Sequence, residues 1–143
     1  MRKGPSHEPL QTVFSPKGRS GSMILVIDDH ALVRKSVLRL LASHGHVATA
    51  VAGGQEALDF LKTHTPRLIL LDFNMPEING LAVLRAIRAD TRLAACPVVM
   101  LTANVELDVK RGEIASLGVE DWIVKASEKW VERLLEAAER YTR

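Results

Sequence analysis

Five short apolar runs alternate with longer amphipathic stretches along most of the chain. The runs cover residues 23–27, 47–51, 67–71, 97–101 and 120–124. Apolar runs of this length, without polar alternation, are typical of strands buried on both faces of a parallel sheet. The other stretches predict helices over residues 30–44, 54–64, 79–89, 105–117 and 128–141. Strands separated by helices of this length need right-handed crossovers, so the pattern predicts an α/β fold with a five-stranded parallel sheet.

Single residues mark the ends of two of these helices. Gly45 directly follows the first helix and has the position of a C-terminal glycine cap. Ser127 precedes the last helix and is predicted to be its N-cap.

Length and charge indicate one folded domain, predicted over residues 23–143, with a different segment in front of it. Residues 1–22 carry four basic residues against one acidic residue, whereas the net charge of all 143 residues is +2. These first 22 residues contain three prolines and few large apolar side chains. We therefore expect them to be a flexible N-terminal tail or an added leader.

Composition excludes several classes of function for the remaining chain. Its 15 basic and 16 acidic residues nearly cancel, so no nucleic-acid partner is expected. The single cysteine, Cys96, excludes an internal disulfide and favours a reducing, cytoplasmic location. No apolar stretch approaches the roughly 20 residues that span a bilayer, so no membrane association is expected.

Polar residues follow four of the five apolar runs, at the point where each predicted strand ends. Asp28 and Asp29 follow the first run, and Asp72 follows the third. Thr102 follows the fourth run, and Lys125 follows the fifth. Because the carboxyl ends of parallel strands share one edge of the sheet, these five side chains should meet in one crevice.

This combination of side chains is suited to phosphate chemistry with a metal ion. Clustered carboxylates remain ionised together only when a cation is present, and their hard oxygens suit Mg²⁺. A carboxylate such as Asp72 can attack phosphorus to form an acyl phosphate, while Lys125 attracts phosphoryl oxygens. Each residue alone has a simpler interpretation as a helix cap, a turn residue or a surface charge, but the set predicts a metal-dependent, phosphate-handling site.

The chain resembles the response-regulator receiver domains of two-component signalling over about residues 23–142. The matching segments are residues 26–29, residues 70–76 with Gly80, residues 101–103 and residues 121–125. The resemblance implies a flavodoxin-like, doubly wound sheet with strand order 2-1-3-4-5 and five helices. In that order, the acidic strand ends lie at the switch point between the first and third strands.

The resemblance also implies which residues bind the metal and the phosphoryl group. Asp72 would be the phosphoacceptor. Asp28, Asp29 and Asp72 would bind Mg²⁺ together with the backbone carbonyl of Asn74. Thr102 would contact the phosphoryl group.

Lys125 and its neighbours complete the set that the resemblance implies. Lys125 would also contact the phosphoryl group, and Thr102 and Trp122 would form the switch that couples phosphorylation to a change at the surface. The chain departs from the family at Ala126, where receiver domains usually have proline, often after a cis peptide bond. A cis bond before a non-proline residue costs about 3 kcal/mol, so we expect a trans bond and a different loop here.

The function implied by the resemblance is that of a single-domain response regulator and not of an enzyme. It would accept a phosphoryl group on Asp72 from a histidine kinase or a histidine phosphotransfer protein. It would signal through phosphorylation-dependent protein contacts, lose the phosphoryl group slowly by self-dephosphorylation, and be a monomer or weak homodimer. A DNA-binding output is not expected, because the predicted fifth helix reaches the end of the sequence.

Two other functions remain open on the sequence. A magnesium-dependent phosphatase resembling the haloacid dehalogenase family would also use an aspartyl nucleophile, but its second aspartate follows two positions after the first. Asn74 occupies that position here, and the aspartate pair precedes Asp72. A receiver-like binding module without phosphorylation is the other alternative, although every charged residue of the site is present.

Histidine ligation of a metal receives little support from the sequence. His44 and His46 flank Gly45, and His30 follows the aspartate pair, but no cluster of cysteine and histidine accompanies them. We interpret all three as ordinary histidines at helix ends.

Overall fold

The computed structural model of the protein describes residues 11–13, 23–103, 108–125 and 127–142. The strands in these ranges are β1 (Gln11–Val13), β2 (Ile24–Ile27), β3 (Ala48–Val51), β4 (Leu68–Leu71), β5 (Val98–Thr102) and β6 (Asp121–Val124). The helices are α1 (Ala31–Ser43), α2 (Gly54–Leu61), α3 (Gly80–Ala89), α4 (Asp108–Leu117) and α5 (Trp130–Tyr141). None of these helices is long and apolar enough to cross a membrane.

The strands form one sheet in the order β1-β3-β2-β4-β5-β6. Strands β2 to β6 pair in parallel, and their order counted alone is 2-1-3-4-5. The predicted five-stranded parallel sheet is therefore confirmed.

Strand β1 is an addition to the predicted sheet. It pairs antiparallel with β3, and Gln11 lies opposite Ala50. The sequence indicated only a flexible tail over residues 1–22, because three residues are too few to show a strand pattern. The other residues of that segment lie outside the described ranges, so its interpretation as a tail or leader stays a prediction.

Alternate residues of each central strand face two different layers of helices. Leu25 and Ile27 of β2 belong to an apolar cluster shared with α2, α3 and α4. Ile24 and Val26 belong to a second cluster, shared with α1 and α5. Because both faces of the strands are covered, their sequences are apolar without alternation.

One of the two predicted helix-end signals, the glycine cap of α1, agrees with the structure. Gly45 has a positive φ of 86°, and its N–H donates to the Ala42 carbonyl at 3.1 Å. The His46 N–H donates to the Leu41 carbonyl at 3.0 Å. These two bonds form a Schellman motif, so the predicted glycine cap of α1 is confirmed.

The predicted N-cap of the last helix is wrong. The residue before α5 is Lys129, which makes no side-chain capping hydrogen bond. Ser127 lies earlier, in a turn where its backbone carbonyl accepts a hydrogen bond from the Trp130 N–H at 3.3 Å. Because of this turn, α5 begins only at Trp130, three residues after Ser127. The N-cap position directly before the helix is therefore Lys129, and not Ser127.

Candidate functional site

Backbone hydrogen bonds of the sheet continue one residue beyond β2 and β4 and fix two aspartates at its carboxyl edge. The Asp28 N–H donates to the Val51 carbonyl at 3.3 Å, and the Asp72 N–H donates to the Ile27 carbonyl at 2.9 Å. Their positions therefore follow from the strand register and not from a mobile loop. The sequence predicted both residues to lie at this edge.

The same edge receives its hydroxyl and its ammonium group from β5 and β6. Thr102 is the last residue of β5, one position later than the predicted end of that strand, and its side chain is buried. The Lys125 N–H donates to the Thr102 carbonyl at 2.7 Å, which extends the pairing of β5 and β6 past their ends. The structure thus brings Thr102 and Lys125 to the edge that carries the aspartates.

A close approach of α3 supports the segment that follows Asp72. A Cβ atom at Gly80 would lie 2.5 Å from the Asp72 carbonyl oxygen, which is too near for any side chain. The Gly80 N–H donates to the Phe73 carbonyl at 2.9 Å, and Asn79 Oδ1 caps α3 by accepting from the Ala82 N–H at 3.0 Å. Only glycine permits this packing, which explains why Gly80 accompanies the aspartate motif.

Three carboxylates converge at the edge with too few hydrogen-bond donors. Asp28 and Asp72 are only 1% and 2% exposed, respectively. Among the described residues, ligand atoms of Asp28, Asp29, His30 and Asp72 all lie within 4.8 Å of one another. The buried atoms Asp29 Oδ1 and Asp72 Oδ2 make no hydrogen bond. Such acceptors are costly to bury, and a hard cation would satisfy them.

Lys125 is shared unequally between two of the carboxylates. Its Nζ donates to Asp28 Oδ2 at 2.5 Å and lies 3.6 Å from Asp72 Oδ1. The lysine side chain is 11% exposed, so this interaction is poorly screened by solvent. One ammonium group balances only part of the negative charge of the three carboxylates.

Together with burial, the excess of negative charge contributes to a raised pKa of the Asp72 carboxyl. Burial raises the pKa of its carboxyl to about 7, and the negative charge of Asp28 adds to the effect, which Lys125 partly opposes. Asp72 therefore ionises fully at neutral pH only when further positive charge is present. The donor set and the orphaned oxygens fit a hard divalent cation such as Mg²⁺.

Two residues without a predicted role also contact the aspartate pair. The His30 N–H donates to Asp28 Oδ1 at 2.9 Å, and His30 Nδ1 lies 3.3 Å from the same oxygen and 3.2 Å from Asp29 Oδ1. Arg34 is 1% exposed, and its Nη1 donates to the Asp28 carbonyl at 2.9 Å. A basic residue three and four positions before Val37 and Leu38, on the apolar face of α1, was the signal that could have identified Arg34.

The remaining predicted residues lie near the site or on its flank. Asn74 follows Asp72 by two positions, in the loop before α3, and its side chain is exposed. Trp122 of β6 is half-buried and packs against the cluster shared with α2, α3 and α4. On the other side of β6, Arg133 donates to the Trp122 carbonyl at 2.8 Å and ties α5 to this strand. Ala126 lies outside the described residues, so the predicted trans bond stays a prediction.

Comparison with known proteins identifies the class to which this site belongs. Residues 24–139 match the family model of the response regulator receiver domain. The chain is 39% identical over 103 residues to the chemotaxis protein CheY of Pseudomonas aeruginosa, a match that covers 71% of this chain and 82% of that protein. The chain spans less than half the length of other curated relatives that it matches.

Solved structures share the fold. The chemotaxis protein CheY4 of Vibrio cholerae superposes with a TM-score of 0.75 at 28% identity, covering 85% of this chain and 99% of that chain. The receiver domain of the sensor histidine kinase PA1611 from Pseudomonas aeruginosa PAO1, solved with a magnesium ion in its active-site cleft, gives a TM-score of 0.74 at 27% identity. That match covers 86% of this chain and 98% of that one. The protein belongs to the response-regulator receiver family.

Proposed function

We propose that this protein accepts a phosphoryl group on Asp72 and passes on a signal through protein contacts. The observation that carries the proposal is Asp72 Oδ2, a buried carboxylate oxygen without a hydrogen bond beside two further carboxylates. A merely structural aspartate would have its acceptors satisfied, because an unpaired buried acceptor destabilises the fold. The phosphoryl donor would be a histidine kinase or a histidine phosphotransfer protein, the partners of this class of domain.

The proposed reaction is an in-line transfer from a phosphohistidine. A carboxylate oxygen of Asp72 forms a bond to phosphorus as the bond between phosphorus and the donor's imidazole nitrogen breaks, and that nitrogen leaves with the electron pair. Lys125 Nζ, already 3.6 Å from Asp72 Oδ1, would pair with a phosphoryl oxygen. The Thr102 hydroxyl would donate a hydrogen bond to another.

The proposed metal ligands are Asp28, Asp29, Asp72 and the backbone carbonyl of Asn74. When bound there, Mg²⁺ would offset the negative charge of the incoming phosphoryl oxygens. The same charge would hold Asp72 ionised, because its pKa of about 7 reflects burial and the neighbouring Asp28 carboxylate. The orphaned oxygens of Asp29 and Asp72 support this assignment.

The proposed readout of phosphorylation passes through Thr102 and Trp122. Thr102 would move toward the phosphoryl group, and the Trp122 ring would turn further inward beside it. Trp122 already packs against the cluster that includes Ile114 of α4, so its position bears on the surface formed by α4, β6 and α5. A large aromatic ring with two positions can bias such a surface between two packings.

In this proposal, the protein is a cytoplasmic signalling component and not an enzyme that turns over a substrate of its own. Slow loss of phosphate from Asp72 by hydrolysis would reset it, and it would act as a monomer or weak homodimer. The phosphatase alternative has no support from the comparisons, which match the receiver family over most of the chain.

Phosphorylation by a small donor tests the proposal. We expect acetyl phosphate to add one phosphoryl group to the wild-type protein in the presence of Mg²⁺ and none in excess chelator, as measured by intact mass. Asp72→Asn should remain unlabelled, whereas the control Asp59→Asn, an exposed aspartate of α2, should be labelled like wild type. Equal labelling of wild type and Asp72→Asn would contradict the proposal.

A further inference from the structure

We propose that His30 Nδ1 is an additional ligand of the cation held by Asp28, Asp29 and Asp72, so that the site prefers first-row transition ions such as Mn²⁺ over Mg²⁺. The inference rests on the proposed function only in using the same metal site. It differs from the sequence interpretation, which treated His30 as an ordinary histidine at a helix end.

The backbone at the start of α1 turns the His30 ring toward the carboxylates. His30 is the N-cap residue of α1, with an extended backbone at φ −91° and ψ 116°, and its side chain makes no capping hydrogen bond to the helix. The ring instead places Nδ1 3.3 Å from Asp28 Oδ1 and 3.2 Å from Asp29 Oδ1.

The distances of 3.2 and 3.3 Å match the spacing of adjacent ligands around one ion. In an octahedral site with bonds of about 2.1 Å, adjacent ligands lie roughly 3 Å apart and opposite ligands about 4.2 Å apart. The imidazole nitrogen and the three carboxylate oxygens all lie within 4.8 Å of one another. The His30 side chain is 63% exposed, and a small inward adjustment of its ring would place Nδ1 in the coordination sphere.

A second observation shows that Lys125 does not satisfy every carboxylate oxygen of this cluster. Asp72 is 2% exposed, and its Oδ2 makes no hydrogen bond, and neither does the buried Asp29 Oδ1. If His30 only donated a proton from Nδ1, it could satisfy Asp28 Oδ1 or Asp29 Oδ1, but Asp72 Oδ2 would remain without a partner. A cation bound between the Asp29 and Asp72 oxygens and the imidazole satisfies all three groups together.

The chemical consequence is a change in metal preference. Mg²⁺ prefers oxygen ligands and retains several waters, so it gains little from an imidazole. Affinity of imidazole-containing sites rises from Mn²⁺ towards Ni²⁺ and Cu²⁺, so a nitrogen ligand favours these ions. Neutral imidazole also adds no charge to the three carboxylates, so it coordinates without increasing their repulsion.

Magnetic resonance of the Mn²⁺-loaded protein tests the ligand directly. We expect pulsed electron paramagnetic resonance of the wild type to show ¹⁴N coupling from a bound imidazole, replaced by ¹⁵N coupling after labelling with ¹⁵N-histidine. The coupling should be lost in His30→Ala and retained in His44→Ala, a matched exposed histidine at the other end of α1. Wild-type protein that binds Mn²⁺ without nitrogen coupling, or coupling that survives in His30→Ala, would overturn the proposal.

Binding titrations provide a second, independent test. His30→Ala should weaken Mn²⁺ and Ni²⁺ binding by about tenfold, with Mg²⁺ binding changed by less than about threefold. Equal changes for all three ions would show that His30 acts only through charge, and would overturn the ligand assignment. Wild-type protein that is labelled on Asp72 with Mg²⁺ but lacks nitrogen coupling would refute His30 ligation alone. Failure to bind any divalent ion would refute the proposed function as well.

Discussion

The two edges of the parallel sheet use charged side chains in opposite ways. At the amino edge, Arg88 donates from Nε to the Leu117 carbonyl and from Nη2 to the Gly118 carbonyl, at 2.9 and 2.7 Å. Its Nη1 donates to the carbonyls of Ala94 and Cys96 at 3.0 and 2.8 Å. At the carboxyl edge, one ammonium group contacts two of the three carboxylates, and two carboxylate oxygens make no hydrogen bond.

The charged residue at the amino edge stabilises the fold, whereas the charged residues at the carboxyl edge form the candidate site. Arg88 satisfies orphan carbonyls at the end of α4 and in the loop before β5, so its charge supports the structure. The carboxylates at the carboxyl edge repel one another until a cation binds. The first edge should therefore lose stability when its charge is removed, and the second should gain it.

The largest expected effect is the loss of the Arg88 contacts. Arg88→Met should lower the free energy of unfolding by about 3 kcal/mol, because four carbonyls lose a charged donor. The matched control is Arg85→Met, one turn earlier on α3, where an exposed ion pair with Glu113 should cost less than about 1 kcal/mol. Urea unfolding measures both, and equal losses would show that the amino edge does not depend on Arg88.

The opposite sign is expected at Asp72. Without metal at pH 8, Asp72→Asn should raise the free energy of unfolding on the order of 1 to 3 kcal/mol, because a buried carboxylate with a raised pKa opposes folding. Asp59→Asn, at an exposed position of α2, should change it little. A destabilised Asp72→Asn would contradict the claim that charges at this edge oppose one another.

The pH dependence follows from the same shift in pKa. The folded protein holds the Asp72 proton up to about pH 7, whereas the unfolded chain releases it near the ordinary pKa of 3.8. Unfolding therefore releases a proton at pH values between about 4 and 7. Over this range, the free energy of unfolding of the wild type should fall with rising pH, compared with that of Asp72→Asn. The difference between the two unfolding free energies should level off above pH 7. A difference that stays flat over this range would contradict the raised pKa.

A smaller effect is expected on metal binding when one proposed ligand is removed. Asp29→Ala should weaken Mg²⁺ binding by about tenfold, roughly 1.4 kcal/mol, without unfolding the domain. Asp90→Ala, far from the site at the end of α3, is the control. Tryptophan fluorescence can follow the titration, and an unchanged Mg²⁺ affinity in Asp29→Ala would exclude a ligand role for this residue.

The smallest expected effect is a difference between the two tryptophans on phosphorylation. Beryllofluoride mimics the phosphoryl group, and we expect it to shift the indole NMR signal of Trp122, which packs toward the α2, α3 and α4 cluster. Trp130 packs against the other cluster, with α1 and α5, and serves as the internal reference. Shifts around Asp72 without a larger shift at Trp122 would contradict the proposed switch.

The sequence predicted most of the scaffold because its signals are local. Uninterrupted apolar runs predicted the parallel strands, and the residues directly after them, such as Asp28, Asp72 and Lys125, reached the expected edge. Ser127 was misassigned because a capping residue does not reveal the turn that separates it from the helix. Strand β1 was missed because it is only three residues long.

The features of the site that could not be predicted from the sequence depend on the direction in which side chains point. His30 looked like any helix-start histidine, since nothing in the sequence tells whether its ring caps α1 or turns toward Asp28 and Asp29. No role was predicted for Arg34 from the sequence, although its spacing from Val37 and Leu38 put it on the buried face. The unequal sharing of Lys125 between Asp28 and Asp72 is likewise a matter of distances that only the folded chain defines.

Locating the phosphoryl group chemically tests the central claim most directly. After incubation with acetyl phosphate and Mg²⁺, borohydride reduces an acyl phosphate of aspartate to homoserine, which peptide mass spectrometry locates along the chain. We predict homoserine at position 72 and none at positions 28 or 29, with no conversion when chelator replaces Mg²⁺. Homoserine at either of the other two aspartates, or its absence from protein that carries the added phosphoryl mass, would contradict Asp72 as the acceptor.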